Sequence, residues 1–187
     1  MLATLHMLVE DHHLAHDAIG GNAEDARAHR AGRLEALQAV APGSSRAMDL
    51  ELLVRDHLRA FQFGNAPGIV IEGPTLSLRP AAARLLALVL HELTTNAIKF
   101  GVLGEPRPDQ ILHVAWQKIG ARVQFLWQER GIPILALAGT RRPGFGQYLI
   151  ETLLPLRFDV QSRFALLPGG VQCALLLPGE SCDPNFH

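Results

Sequence analysis

Cysteine, tyrosine and surplus charge are all scarce in this chain. Cys173 and Cys182 are its two thiols, and Tyr148 is its single tyrosine. Two cysteines near one end match no zinc spacing and make no disulfide framework, so a cytoplasmic protein is expected. Lys and Arg number 17 against 18 Asp and Glu, a formal net charge of −1. That balance offers no broad basic surface to a nucleic-acid backbone, and Arg141-Arg142 is a merely local pair. Long apolar runs are missing too. They break well before the ~18 residues of a membrane span. No cationic start, apolar block and small-residue cleavage site signals secretion. What remains is a globular composition, 48% hydrophobic and 19% charged over 187 residues. This suits one domain, or a smaller domain with a helical extension.

Residues 1–63 read as helical. Leu2, Leu5, Val9, His12 and His16 recur at helical spacing until Gly20-Gly21-Asn22. A second helix is predicted from Ala23 to Ala41, with Leu34, Leu37 and Val40 on one side, before the breaker Pro42-Gly43-Ser44-Ser45. Together these make an αα-hairpin. A third helix is predicted over Met48–Phe63. The character then changes. Gly68–Gly73 and Leu76–Leu78 read as short strands about a Gly-Pro turn. Pro80 opens a long helix that stops at Gly101. Strands Ile111–Lys118 and Val123–Glu129 follow, then a Gly/Pro-rich loop over 131–144 and a helix over Phe145–Leu154. Strands Phe158–Leu166 and Val171–Leu177 close the pattern around Pro168-Gly169-Gly170. Helices alternating with mostly antiparallel strands predict an α+β protein, an α/β sandwich rather than a doubly wound sheet.

The long helix carries two stripes. Leu86, Val89, Leu90, Leu93 and Ala97 form an apolar face. Glu92, Asn96 and Lys99 follow at i, i+4, i+7. A carboxylate, a carboxamide and an ammonium in line suit a metal–polyphosphate site. The amide oxygen can ligate Mg²⁺, the ammonium can meet phosphate, and the carboxylate can orient or deprotonate an attacking group. By spacing alone the stripe reads first as a solvated face with i, i+4 pairs.

The segment from His91 to Gly101, His-Glu-Leu-Thr-Thr-Asn-Ala-Ile-Lys-Phe-Gly, resembles the N-box of sensor histidine kinases. Its leading His91 and the later Trp127-Gln128-Glu129 resemble the two signatures for which the HWE family is named. Glu129-Arg130-Gly131-Ile132-Pro133 resembles that family's G1 box, and Arg142–Glu151 resembles the Gly-Phe-Gly box that opens a helix. Pro168–Pro178 is similar to its final hairpin strand. The likeness covers roughly residues 68–178, and the boxes fall in the family's order.

The resemblance implies a Bergerat-type ATP-binding domain over 64–180, a helical dimerisation and phosphoacceptor-like part over 1–63, and a tail at 181–187. It implies ATP and Mg²⁺ as cofactors, with Glu92, Asn96 and Lys99 in catalytic positions and Asn96 on the metal. The nucleotide would also meet His91, Gly101, Glu129, Gly131, Gly144, Phe145 and Gly146. Glu129 would accept the adenine amino group, and the glycines would bring backbone N–H groups to phosphate. Without the N-box, Glu129 reads first as a surface residue at a strand end, and Gly144 and Gly146 as a turn. Implied partners are a response-regulator receiver domain and a second copy of the chain.

Two departures stand out. Ile132 occupies a glycine position, where a β-branched residue adds bulk and resists positive φ. The family's His-Arg-x-x-Asn phosphoacceptor box is absent. Counting back from Arg33-Leu34-Glu35-Ala36-Leu37, it would precede Met1, as in a truncated kinase or a divergent relative. His13, His12 and His16 are the acceptor candidates in sight, and His12 and His16 equally extend an apolar stripe. His29 and His57 read as surface residues. The expected function is ATP-dependent phosphorylation of a histidine in two-component signalling. The alternative is a degenerate histidine phosphotransferase or scaffold that binds no ATP, and a third reading is an anti-sigma-like regulator on the same fold.

Overall fold

The computed structural model describes residues 23–38, 47–64, 66–105, 107–132 and 144–182. The predicted first helix, with His12, His13 and His16, lies outside the described residues, as does the loop 133–143. Helix α1 spans Ala23–Gln38 and helix α2 spans Leu50–Ala60; strand β1, Met48–Asp49, precedes α2. Then come β2 (Ile69–Glu72), β3 (Ser77–Leu78), the long helix α3 (Pro80–Phe100), β4 (Ile111–Ile119) and β5 (Arg122–Arg130). Helix α4 (Phe145–Tyr148) passes through a π turn at Leu149–Leu153 into α5 (Leu154–Phe158). Strands β6 (Gln161–Leu167) and β7 (Gly170–Leu177) and a 3₁₀ turn at Gly179–Ser181 complete the order.

Five strands form one mixed sheet in the order β2-β4-β5-β7-β6. The β2–β4 pair is parallel; the other three pairs are antiparallel. A parallel neighbour needs a crossover connection, and α3 lies in that connection. The sheet with its helices gives the α+β class expected from the sequence. The β4–β5 hairpin turns at Gly120-Ala121, with Ile119 opposite Arg122. Along β5, Val123, Phe125, Trp127 and Glu129 are buried, while the residues between them are half-buried. That period of two sends one side of the strand into the core.

Helix α3 begins with Pro80 in its first turn, where the missing N–H breaks no helical bond. Its predicted apolar stripe is buried throughout, and burial continues around the helix to Ala83, Ala87 and His91. The reason is a covering on two sides. Leu86, Leu90 and Leu93 share one buried cluster with Val114, Phe125, Trp127 and Leu175 of the sheet. Leu37 of α1 and Leu50, Val54 and Leu58 of α2 belong to the same cluster. Each fully buried Leu or Val contributes about 1.5–3 kcal/mol over its exposed state.

Three boundaries differ from the sequence expectation. Met48 and Asp49 are not helical: they pair with Leu78 and Ser77 in a separate two-stranded ribbon. Asp49 instead caps α2, its carboxylate accepting from the Leu52 N–H at 2.9 Å. Phe158 belongs to a helix rather than to the next strand. The helix was expected to end near Leu154, before Pro155, but the chain widens into the π turn and continues. The Leu154 N–H reaches back to the Leu149 carbonyl, and Ser162 Oγ–H donates to the Ile150 carbonyl. A proline's missing donor leaves carbonyls one turn back to be satisfied elsewhere.

Candidate functional site

The polar residues of α3 divide between two sides. His91, Thr95 and Lys99 line a cavity of about 700 Å³ that α1 and α2 also wall, with Gly32, Asp56 and His57. Glu92 faces another way, toward the start of α4. Lys99 therefore does not extend the Glu92–Asn96 line as spacing suggested: its Nζ meets Nε2 of His29. Asn96 lies one helical turn beyond Glu92 and is exposed.

Glu92 is 4% exposed. Its Oε1 accepts from Arg33 Nε at 2.6 Å, and Oε2 lies 3.4 Å from a terminal nitrogen of the same guanidinium. Gly146 rests on the same side chain. A Cβ built there would sit 3.0 Å from both Cβ and Oε2 of Glu92, so a side chain would push the carboxylate aside. Between the two glycines of that box, Phe145 lies under the Arg33 guanidinium, 4.2 Å from ring centroid to Cζ. Residues far apart in sequence thus meet at one point.

Glu129 is also buried, not a surface residue at a strand end. The period of two along β5 places it inward with Trp127. Its Oε1 accepts from Trp127 Nε1–H at 3.0 Å, and Oε2 accepts from the Val102 backbone N–H at 3.2 Å. Burial raises its pKa, and these two hydrogen bonds oppose the rise. Gly101 closes α3 with its N–H on the Ala97 carbonyl, beside that carboxylate. The G1-like acid and the end of the N-box helix are therefore in contact. Gly131 takes φ +82°, whereas Ile132 is not among the residues with positive φ. Ile132 is buried in the core cluster, and its N–H donates to the Gly169 carbonyl at 3.1 Å. The left-handed conformation falls on the glycine, so Ile132 carries none of the anticipated backbone strain.

His29 and His57 are not plain surface residues. His29 meets Lys99. His57 hydrogen-bonds the Leu90 backbone, its Nε2 is buried without a partner, and its ring stands edge-on to that of His91, 6.2 Å away. Burial, then the proximity of His91, lowers its pKa to about 4. Burial, then Arg33 and His29, lowers that of His91 to about 4. Both rings are thus neutral near pH 7. Sequence reasoning missed Arg33 as a site residue. The available signal was the spacing of Ala28, Gly32 and Ala36, small residues one turn apart that let a helix approach another closely.

Chemically, a buried carboxylate such as Glu129 can accept from an amine, an exposed carboxamide such as Asn96 can offer an oxygen to a hard cation, and glycine-flanked backbone N–H groups can meet an anion. Among the described residues no cluster of three or more His, Cys, Asp or Glu could hold a metal by itself. A hard cation here would depend on an anionic ligand for most of its oxygens.

No protein-family model matches the chain. Among curated proteins it is 28% identical over 134 residues to Blue-light-activated histidine kinase 1 of Erythrobacter litoralis, covering 71% of this chain and 36% of that one. It is 30% identical over 109 residues to Blue-light-activated histidine kinase of Rhizobium johnstonii, covering 57% and 30%. The chain thus spans about a third of the length of the curated relatives it matches. Among solved structures, a blue-light activated histidine kinase of Erythrobacter litoralis superposes with TM-score 0.61 at 15% identity, covering 95% of this chain and 62% of that one. The histidine kinase domain of that protein gives 0.56 at 14% identity, covering 94% and 95%. The Acinetobacter baumannii histidine kinase AdeS gives 0.53 at 13% identity, covering 95% of each chain.

Proposed function

From the premise that this chain is homologous to the blue-light-activated histidine kinases and shares the fold of histidine-kinase catalytic domains, we propose that it binds Mg-ATP and phosphorylates a histidine in two-component signalling. The observation that supports this most is the double convergence at α3: Gly146 rests on Glu92, and Glu129 reaches the chain just past Gly101. In this reading residues 64–180 are the nucleotide-binding unit. The helices before it hold the dimer.

Magnesium-ATP, when bound, supplies the transferable phosphoryl group. Glu129 would accept the adenine amino group on lone pairs that Trp127 and Val102 leave open. Asn96 would offer its exposed amide oxygen to the metal. Backbone N–H groups at Gly144, Phe145 and Gly146 would face the phosphates, with Gly131 bordering the site, whereas His91 and Lys99 lie on the other side of α3 in the cavity shared with α1 and α2. Glu92 would hold or take the proton of the attacking imidazole. Catalysis of this kind is mostly positioning and charge neutralisation. The acceptor is a histidine of this chain beyond the described residues, with His12, His13 and His16 as candidates, or one of a partner. A receiver-domain aspartate is the next acceptor. A cytoplasmic site of action fits this chemistry. Among the described residues no helix is long and apolar enough to cross a membrane.

Titration with Mg-ATP, followed by the fluorescence of buried Trp127, tests the reading. Saturable binding, weakened about tenfold or more in Asn96→Ala, is expected for loss of one ligand contact. No response up to millimolar nucleotide would overturn it in favour of a phosphotransferase or scaffold that binds no ATP.

A further inference from the structure

Arg33 stands where three chain segments meet. It belongs to α1, yet its side chain is only 11% exposed because it lies between Glu92 of α3 and Phe145 at the start of α4. The approach of α1 depends on Gly32, which crosses the His91 ring. A Cβ on Gly32 would fall 2.3 Å from Cε1 of that ring. Arg33 is therefore delivered to this point by close helix packing and is not a surface arginine folded back.

A polyphosphate entering beside Gly146 would bring several negative charges against the buried carboxylate of Glu92. Uncompensated like charges at that range, away from bulk water, repel strongly. Arg33 already neutralises the carboxylate. Its guanidinium has five N–H donors, and Glu92 engages only part of the fork. The planar fork matches phosphate as well as it matches carboxylate. Its position over Phe145 puts it beside the backbone expected to hold the phosphates.

We propose that Arg33 is a phosphate ligand supplied by the helical segment, with Glu92 as its partner while no nucleotide is bound. The proposal rests on the nucleotide-binding reading above. On binding, the guanidinium keeps its Nε on Glu92 and turns its terminal nitrogens to the terminal phosphate, so the carboxylate retains its counter-charge while it faces the attacking imidazole. Docking of α1 then becomes part of nucleotide selectivity, because a diphosphate lacks the group that Arg33 meets.

Calorimetric dissociation constants for Mg-ATP and Mg-ADP, measured on the full chain, test this. Arg33→Gln should weaken ATP binding about tenfold or more and ADP binding less than about threefold, as expected for loss of a charge-assisted contact to one phosphate. Arg33→Lys should fall between, keeping the charge without the fork. Glu92→Gln removes the competing partner and should tighten ATP binding only where Arg33 is present, a coupling that a double-mutant cycle reads. A purely structural arginine would lower the unfolding midpoint and shift both nucleotides alike. An unchanged ATP-to-ADP ratio in Arg33→Gln overturns the proposal while leaving the functional reading intact. If Arg33→Gln does not fold, the ratio in Arg33→Lys decides in the same way. Failure of the unmodified chain to bind either nucleotide defeats the functional reading, and this inference with it.

Discussion

At the scale of single residues, the neutral imidazoles make the clearest prediction. His57 and His91 both have pKa values lowered to about 4 in the folded chain, against an ordinary value of 6.5. Between those values the unfolded chain binds more protons, so stability falls as the pH drops through that window and is fully present above it. The loss is at most about 3 kcal/mol for each ring. Urea midpoints measured from pH 7 to about 4.5 should fall, and His57→Phe should flatten the pH dependence. Glu129 acts in the opposite sense. Its raised pKa favours the fold below its unfolded value, and that advantage disappears as pH rises through the folded one. Thiol chemistry gives a second check. Burial, then Glu151, pushes Cys173 up to about 12. Native protein should therefore label at Cys182 far faster than at Cys173, and unfolding should equalise the two. Part of the site was legible in the sequence at this scale. Alternation along Val123, Phe125, Trp127 and Glu129 already sends the acid inward. Arg33 was harder to read: the spacing of Ala28, Gly32 and Ala36 marks a helix that can approach another closely, but the partner of Arg33 lies 59 positions away and that spacing does not name it.

Elements were more legible than their ends. Helix α3 runs from Pro80 to Phe100 as its proline and glycine borders predict, and Gly120 and Gly169 mark hairpin turns. The misplaced borders share a cause: a backbone group found its partner in another element. Met48 and Asp49 left the helix because Ser77 and Leu78 were there to pair with. The helix outlasts Pro155 because Ser162 supplies a hydroxyl to the Ile150 carbonyl. Removal of that hydroxyl in Ser162→Ala leaves a carbonyl without its donor. Stability should fall by about 1–2 kcal/mol, read as a lower urea midpoint with an unchanged slope. Gly146→Val tests the contact between α4 and α3. The added side chain has no room beside Glu92, so nucleotide affinity should fall by about tenfold or more while helix content by circular dichroism is retained.

The molecule as a whole is organised about α3. A helix covered by a sheet on one side and by other helices on the other has little surface of its own, which is why its apolar stripe understated its burial. The sequence divides the chain near residue 63 by a change in character, yet side chains from both sides of that point join one buried cluster. Leu58→Ala in α2 should cost about 2–5 kcal/mol, as truncation of a core residue does. It should lower the single unfolding transition seen by both tryptophan fluorescence and circular dichroism. The same cluster bears on how the protein can be handled. A fragment cut to begin at residue 64 would strip Leu50, Leu53, Val54 and Leu58 from α3 and leave a greasy strip open to solvent. Such a piece should precipitate or self-associate during purification, and a cut placed ahead of Met48 should yield a better-behaved product.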